Sequence, residues 1–170
     1  MRTNKKAQGD RQGGGGRFEI EARGRLETML ERHGLDDTFS IVNTSKKEFF
    51  STCSRWPKSP YKPDAQIIFN CCGRVVVNVG IKKSCRERWA QDDRYAMIVE
   101  NENIKWLEIL EREHEEDGVE KTKRMVGHIV DVKCSLDWIV ATRDPDGFRL
   151  EMERITAHLK KLAADHACTP

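Results

Sequence analysis

Two short apolar runs separated by a glycine-containing turn form the clearest hydrophobic pattern in the chain. Residues 66–69 and 75–81 are rich in β-branched and aromatic side chains, and Cys72-Gly73 lies between them. This arrangement predicts a β-hairpin. Asp64 precedes the first strand and Lys82 ends the second, so we expect both residues at the same end of the hairpin.

Alternation sorts the side chains of the second strand, because residues two apart share a face. One predicted face is apolar and contains Val75, Val77, Val79 and Ile81. The opposite predicted face contains Val76, Asn78, Gly80 and Lys82.

Helical spacing of apolar residues predicts four helices. A stripe at Phe18, Ala22, Leu26, Met29 and Leu30 predicts a helix over 18–33, with Gly34 as its C-terminal stop. Ser84 and Glu87 have capping-box spacing, which predicts a helix directly after Lys82. Residues 104–116 and 148–164 also have amphipathic spacing, the latter with Leu150, Ile155, Leu159 and Leu162 directed inward.

The remaining segments complete a single α/β domain over residues 18–165, in which helices flank a mixed sheet. Residues 38–42 favour a short strand and residues 126–133 a longer one. Residues 1–17 contain four consecutive glycines and several basic residues, which predict a flexible basic tail. Residues 166–170 are expected to fray.

Composition places few restrictions on function. The chain has 170 residues, of which 38% are hydrophobic and 34% charged, and its formal net charge is +2. No apolar run is long enough to span a membrane. The six cysteines show no CxxC pair and no histidine partners at zinc-ligand spacing, and adjacent Cys71-Cys72 is a poor disulfide framework, so a reducing cytoplasm is expected.

Residues around the hairpin resemble a known nuclease family. Pro63-Asp64, the hairpin and a strand ending in Lys82 resemble the PD-(D/E)xK nuclease core, and KKSCRERWAQ at residues 82–91 is similar to a segment of some type II restriction endonucleases. The resemblance implies a restriction-endonuclease-like fold and Mg²⁺-dependent hydrolysis of double-stranded DNA. Asp64 would hold the metal, Lys82 would stabilise charge near the scissile phosphate, and Arg86 and Arg88 would contact phosphates.

One position departs from that family. The family carries an acidic residue two positions before the strand lysine, where this chain has Gly80. Glu87, Asp92 and Asp93 are available on the following predicted helix, and we select Asp93 as the second catalytic and metal-binding acid because it shares a helical face with Arg86. Asn78 offers a neutral oxygen ligand.

Two alternatives to a relocated acid on that helix remain open. Asp131-x-Lys133 supplies the interrupted Asp-x-Lys spacing on a later predicted strand. Alternatively, Gly80 marks an inactive relative that binds DNA or another protein without catalysis.

Further DNA contacts are expected from the segment that leads to Asp64. Residues 54–62 interleave Arg55 and Lys58 with Trp56 and Tyr61, a mixture suited to nucleic-acid backbones and bases. The acidic run over residues 111–117 would repel DNA and should face away from it. Enzymes of this class commonly act as homodimers, because each active site cuts one strand of a symmetric target.

Overall fold

The computed structural model describes residues 5–43, 63–82, 103–111, 136–142 and 145–166. Within these ranges five strands form one sheet in the order β1-β2-β3-β4-β5. The strands are β1 (Phe39–Asn43), β2 (Ala65–Phe69), β3 (Val75–Lys82), β4 (Lys105–Leu110) and β5 (Trp138–Ala141), and the helices are α1 (Lys5–Arg32) and α2 (Pro145–Asp165).

The sheet is mixed, as the sequence predicted. Strands β1, β2 and β3 are antiparallel neighbours, whereas β3, β4 and β5 run parallel to one another. The α/β fold class with helices beside a mixed sheet is therefore confirmed. No helix in the described part of the chain has the length and apolar character needed to cross a membrane.

Strands β2 and β3 form the predicted hairpin. Gly73 has a φ of 68°, a left-handed conformation that glycine adopts without a steric penalty, and its amide donates to the Phe69 carbonyl at 2.8 Å. The register shifts between Ile67, which pairs with Val77, and Ile68, which pairs with Val75. This β-bulge leaves Val76 as the extra residue of β3.

The bulge corrects the predicted alternation at one end of β3. Val76 is 2% exposed and belongs to the hydrophobic core cluster, whereas Val75 is buried outside that cluster. The alternation predicted the reverse, with Val75 on the apolar face and Val76 on the opposite face. From Val77 onward the alternation holds, with Val77, Val79 and Ile81 in the core.

Helix α1 has the predicted apolar stripe and stop. Phe18, Ala22, Leu26, Met29 and Leu30 are all buried in the core cluster. Gly34 has a φ of 62°, its amide donates to the Glu31 carbonyl, and the Leu35 amide donates to the Leu30 carbonyl. These two hydrogen bonds make a Schellman motif, which satisfies carbonyls at the helix end.

The helix also extends through a region that the sequence assigned to a flexible tail. It begins at Lys5 and continues through Gly13 to Gly16. Glycine costs about 1 kcal/mol per residue in a helix relative to alanine, which is why composition favoured a tail. Propagation of a helix that is already nucleated by a packed segment needs no second nucleation step, and the stripe from Phe18 provides that segment.

Strand β4 replaces a predicted helix. Residues 105–110 pair with β3, residues 107–110 also pair with β5, and five of the six are buried. A central strand between two parallel neighbours is covered on both faces, so its sequence lacks a clear polar side. The short run of apolar residues was therefore misread as a helix.

Helix α2 begins earlier than predicted and buries a different set of residues. It starts at Pro145, where proline is favoured because the first helical amide has no intrahelical partner. Ile155 and Leu159 are buried as predicted, together with Met152 and Thr156. Leu150 is 48% exposed, so the prediction that it points inward was wrong.

The two faces of the sheet have different surroundings. One face contributes Ile67, Val77, Val79, Leu107 and Ile109 to a single core cluster with the buried stripes of α1 and α2. The opposite face contains the buried polar residues Gln66, Asn78 and Glu108, and also Trp106 and Leu110, which are buried outside that cluster. Polar chemistry is thus concentrated on the face away from the two helices.

Candidate active site

Asp64 joins the ends of β2 and β3 through three hydrogen bonds. Its amide donates to the Val79 carbonyl at 2.8 Å, which continues the ladder one position beyond β2. Its carboxylate Oδ2 accepts from the Ile81 amide at 2.7 Å and from Lys82 Nζ at 2.8 Å. The carboxylate therefore holds both the backbone and the side chain at the end of β3.

The Asp64–Lys82 ion pair is partly shielded from water but open to a ligand. The Asp64 side chain is 26% exposed and the Lys82 side chain 13% exposed. Partial burial weakens solvent screening, so this pair differs from fully exposed ion pairs, which stabilise proteins little. Some exposure on both partners leaves a path for a cation or a phosphate.

The pair lies beyond the carboxyl ends of the parallel strands, where ligands of open α/β sheets bind. Lys82 is at the carboxyl end of β3, and its carbonyl accepts from the Glu111 amide just after β4 at 2.9 Å. Ligands of open parallel sheets bind outside the carboxyl ends of the strands. The predicted proximity of Asp64 and Lys82 is thus observed in a favourable place.

A row of buried polar residues lies on the same face behind this pair. Gln66 Nε2 donates to Asn78 Oδ1 at 2.8 Å, and both residues are less than 5% exposed. The hydrogen bond fixes the orientation of the Asn78 amide, which the sequence offered as a neutral cation ligand. With its Oδ1 engaged by Gln66, Asn78 orders the sheet beneath Asp64 and Lys82.

Glu108 belongs to this row and was missed by the sequence reasoning. It pairs with Gly80 across β3 and β4 and is 1% exposed. Trp106 Nε1 donates to Glu108 Oε2 over a long 3.5 Å. The sequence does show a glutamate inside the apolar stretch Trp106-Leu-Glu-Ile-Leu110, which would indicate a buried acid if the stretch were a strand. In the helix that was predicted instead, the same glutamate would belong to an exposed acidic face.

Most other predicted site residues lie outside the described residues. These are Asp93, Arg86, Arg88, Arg55 and Lys58, and also Glu87, Asp92 and Asp131. The predicted helix after Lys82, the strand over 126–133 and the segment 54–62 lie outside as well. Their assignments stay predictions.

A second Asp–Lys pair, at the opposite ends of the parallel strands, is chemically similar to the first. Asp137 accepts from the Trp106 amide at 2.8 Å through Oδ2 and pairs with Lys105 Nζ at 2.7 Å through Oδ1. It lies at the amino ends of β4 and β5, where open parallel sheets do not place ligand sites. An Asp–Lys pair alone therefore does not identify an active site. What distinguishes the first pair is its location at the carboxyl ends of the parallel strands.

His158 of α2 lies beside this second pair. Burial lowers the pKa of His158, and the positive charge of Lys105 lowers that pKa further, whereas Asp137 raises it. Its ring lies 5.4 Å from the Trp138 ring. The histidine is thus held preferentially in its neutral form by the surrounding helix and strands.

Two cysteines and a histidine meet at the turn of the hairpin. Cys71, Cys72 and His166 bring ligand atoms within 4.8 Å of one another, although no zinc spacing was visible in the sequence. Cys71 is disulfide-bonded, which differs from the expected absence of disulfides. Cys72 and His166 alone offer two donors, whereas structural zinc takes four. His166 also stacks on Phe69, so its contacts tie the end of α2 to the hairpin.

Comparison with known proteins finds a structural likeness but no sequence relative. No family model and no curated protein matches the chain. A solved structure described as the specific restriction endonuclease AgeI in complex with DNA matches with a TM-score of 0.49 and 19% identity. The match covers 65% of this chain and 44% of that endonuclease, so the chain spans less than half the length of the protein that it resembles.

Proposed function

We propose that the protein is a Mg²⁺-dependent DNA endonuclease, similar to type II restriction endonucleases, that hydrolyses phosphodiester bonds in double-stranded DNA. The observation that carries the proposal is the Asp64–Lys82 pair, with 2.8 Å between carboxylate and ammonium, at the carboxyl edge of the parallel strands. The PD-(D/E)xK resemblance assigns these same two residues to catalysis.

The donor chemistry of Asp64 fits a hard divalent cation. Magnesium prefers carboxylate oxygens in proteins. Among the described residues both hydrogen bonds to the Asp64 side chain fall on Oδ2, so Oδ1 is the oxygen available to a cation. When bound, Mg²⁺ supplies positive charge that polarises a phosphate and makes water more acidic.

Lys82 contributes a second positive charge next to the carboxylate. Asp64 holds the ammonium at the strand end, so little of the lysine's freedom has to be lost when DNA binds. A cation positioned beside the phosphate stabilises the negative charge that develops on its oxygens during attack by water. Asp64 also fixes the Ile81 amide, which makes the strand end rigid where the phosphate would lie.

The finer assignments extend this proposal. The sequence alone favours Asp93 for the second acid; Arg86 and Arg88 would bind phosphates, and Arg55 and Lys58 would contact DNA on the approach to Asp64. A homodimer would cut both strands of a symmetric target. A cytoplasmic location fits the same class of enzyme.

Plasmid cleavage is the direct test. Supercoiled and long linear DNA would be incubated with the protein in Mg²⁺ and in Mn²⁺, beside Asp64→Asn and Lys82→Ala. We expect discrete cleavage by the wild type and a loss of at least about a hundredfold in rate in each variant, the effect of removing one group that stabilises transition-state charge. Asparagine still accepts the Ile81 amide, so this variant removes charge with little change to the strand.

The second Asp–Lys pair provides matched controls. Asp137→Asn and Lys105→Ala make the same chemical changes in a similar pair at the amino ends of β4 and β5. We expect cleavage by both controls to equal that of the wild type. Equal losses in control and site variants, or cleavage that survives both site variants, would contradict the proposed roles of Asp64 and Lys82.

A second candidate function is a DNA-binding or protein-binding module without catalysis. Gly80 favours it, because the position carries no acid. This alternative predicts no cleavage by the wild type but DNA binding that weakens steeply as salt rises, since binding to phosphates releases counterions. Absence of both cleavage and DNA binding would reject both DNA functions.

A further inference from the structure

Gly80 and Glu108 occupy partnered positions on adjacent strands. They are Cα partners in the parallel pairing of β3 with β4, where Asn78 pairs with Trp106 and Lys82 with Leu110. Partnered residues of neighbouring strands direct their side chains to the same face of the sheet. Glu108 therefore faces the side on which an acid at position 80 would lie.

Asp64 belongs to the same row on the other side of Gly80. The β2–β3 register pairs Gln66 with Asn78 and Ala65 with Val79, and the Asp64 amide continues it by donating to the Val79 carbonyl. Asp64, Gly80 and Glu108 thus follow one another across three adjacent strands. Neighbouring strands lie about 4.8 Å apart, so each carboxylate originates about one strand spacing from Gly80.

Gly80 leaves the position between these two acids without a side chain. Any larger residue there would project from the middle strand between Asp64 and Glu108, on the same face as both. With glycine, β3 places no side chain between them. Magnesium is usually bound through one or two carboxylates together with waters and substrate phosphates.

Burial of Glu108 agrees with a role of this kind. The residue is 1% exposed, and glutamate is almost never fully buried without a compensating partner. A buried carboxylate is stabilised by hydrogen bonds, by a positive charge or by a metal. Lys82, two residues beyond Gly80, lies on the same face of β3.

We propose that Glu108 is the second carboxylate of the divalent-cation site, acting with Asp64 from the strand next to Gly80 in place of the acid that Gly80 does not supply. This inference rests on the proposed function, since it names a further ligand of the same site. It differs from the sequence prediction, which placed the relocated acid at Asp93. The two assignments make opposite predictions for single variants.

Cation binding measured without DNA tests the inference. Mn²⁺ would be titrated into the full-length protein, with free Mn²⁺ followed by electron paramagnetic resonance, for wild type, Asp64→Asn, Glu108→Gln and Asp93→Asn. We expect Asp64→Asn and Glu108→Gln each to weaken Mn²⁺ binding by at least about tenfold, the scale of losses seen when metal sites lose a group. Asp93→Asn should bind as the wild type does.

Two further variants distinguish metal binding by Glu108 from a structural role of its side chain and from a general effect of negative charge. Glu108→Asp keeps the carboxylate and should retain more Mn²⁺ affinity than Glu108→Gln, whereas a purely structural role would be better preserved by the isosteric glutamine. Glu111→Gln removes the same charge three residues along the chain and should not change binding. Thermal unfolding of each variant without metal verifies that the compared proteins are folded.

The outcomes distinguish this inference from the proposed function. Wild-type Mn²⁺ affinity in Glu108→Gln, together with a loss in Asp64→Asn, would overturn the role of Glu108 and leave the nuclease proposal intact. Loss of binding in both variants with no DNA cleavage by the wild type would support the cation site and reject the nuclease. Absence of Mn²⁺ binding by the wild type would overturn the inference.

Discussion

Asp64 combines a structural and a chemical role in one side chain. Its Oδ2 satisfies the Ile81 amide, and Ile81 itself is 5% exposed, so removal of the carboxylate to alanine would leave a shielded amide without that partner. An unsatisfied buried amide costs about 1 to 3 kcal/mol. Asparagine avoids that cost, which is why it separates catalysis from stability better than alanine does.

His158 makes stability depend on pH. Its pKa in the folded protein is below the ordinary value of 6.5, because burial and Lys105 both disfavour the protonated form. The unfolded chain therefore binds the proton more readily, and this contribution to stability is fully present above pH 6.5 and is lost as pH falls toward the folded pKa. We expect urea unfolding to show lower stability at pH 5.5 than at pH 7.5.

The variant His158→Gln isolates this contribution, because glutamine does not titrate. The fall in the free energy of unfolding between the two pH values should be smaller in the variant than in the wild type. An identical pH dependence in wild type and His158→Gln would contradict the lowered pKa.

At the residue scale, the sequence predicted one half of the candidate site. Asp64 and Lys82 were placed correctly because each sits at an end of a strongly β-forming run, where strand ends fix their positions. Glu108 was not found, because pairing between strand residues 28 positions apart in the chain is not encoded in local periodicity. Only the register of β3 with β4 reveals that it partners Gly80.

At the scale of elements, helix α1 was easier to predict than the central strand β4. Helix α1 has a polar side and a stripe of buried residues, so its period was readable. Strand β4 is buried on both sides, and six residues contain too few turns to distinguish a period of 2 from one of 3.6. The β3 bulge, a single extra residue, was likewise invisible to simple alternation.

Two residues of α2 test the observed packing against the predicted one. Ile155 is 0% exposed in the core cluster, whereas Leu150, which the helical pattern also directed inward, is 48% exposed. We expect Ile155→Ala to lower the free energy of unfolding by about 2 to 5 kcal/mol, since it removes buried methylenes and leaves a cavity. Leu150→Ala should change it by less than about 0.5 kcal/mol.

Equilibrium unfolding in urea, followed by circular dichroism, measures both changes. We expect the dependence of the free energy of unfolding on urea concentration to be the same in both variants. Leu159→Ala is a further positive control, because Leu159 is also 0% exposed on the same helix. Comparable losses in Leu150→Ala and Ile155→Ala would mean that α2 packs through the face predicted from its sequence.

At the scale of the whole molecule, the sheet separates two kinds of chemistry. The helices cover the apolar face, and the polar row of Gln66, Asn78 and Glu108 lies on the other. The α/β class and the hairpin were predictable from sequence because they follow from local patterns. The order of parallel strands β3, β4 and β5 was not, because it depends on crossovers whose path is set by tertiary packing.

Net charge gives this molecule little long-range attraction for DNA. With a formal charge of +2, affinity for a polyanion has to come from a local concentration of positive charge near the site. Lys82 provides one such charge in the described part of the chain, already held in place by Asp64. Specific placement of cations, rather than the overall field, is therefore the basis of the proposed DNA interaction.

The two Asp–Lys pairs also give the protein a built-in spectroscopic reporter and its reference. The Ile81 and Trp106 backbone amides donate to aspartate carboxylates, one at each edge of the sheet. In nitrogen–proton correlation spectra, a diamagnetic cation such as Mg²⁺ arriving at Asp64 would shift the Ile81 signal further than the Trp106 backbone signal. A cation adsorbed generally to acidic groups would shift both signals to a similar extent, so one titration locates the ion without any catalytic turnover.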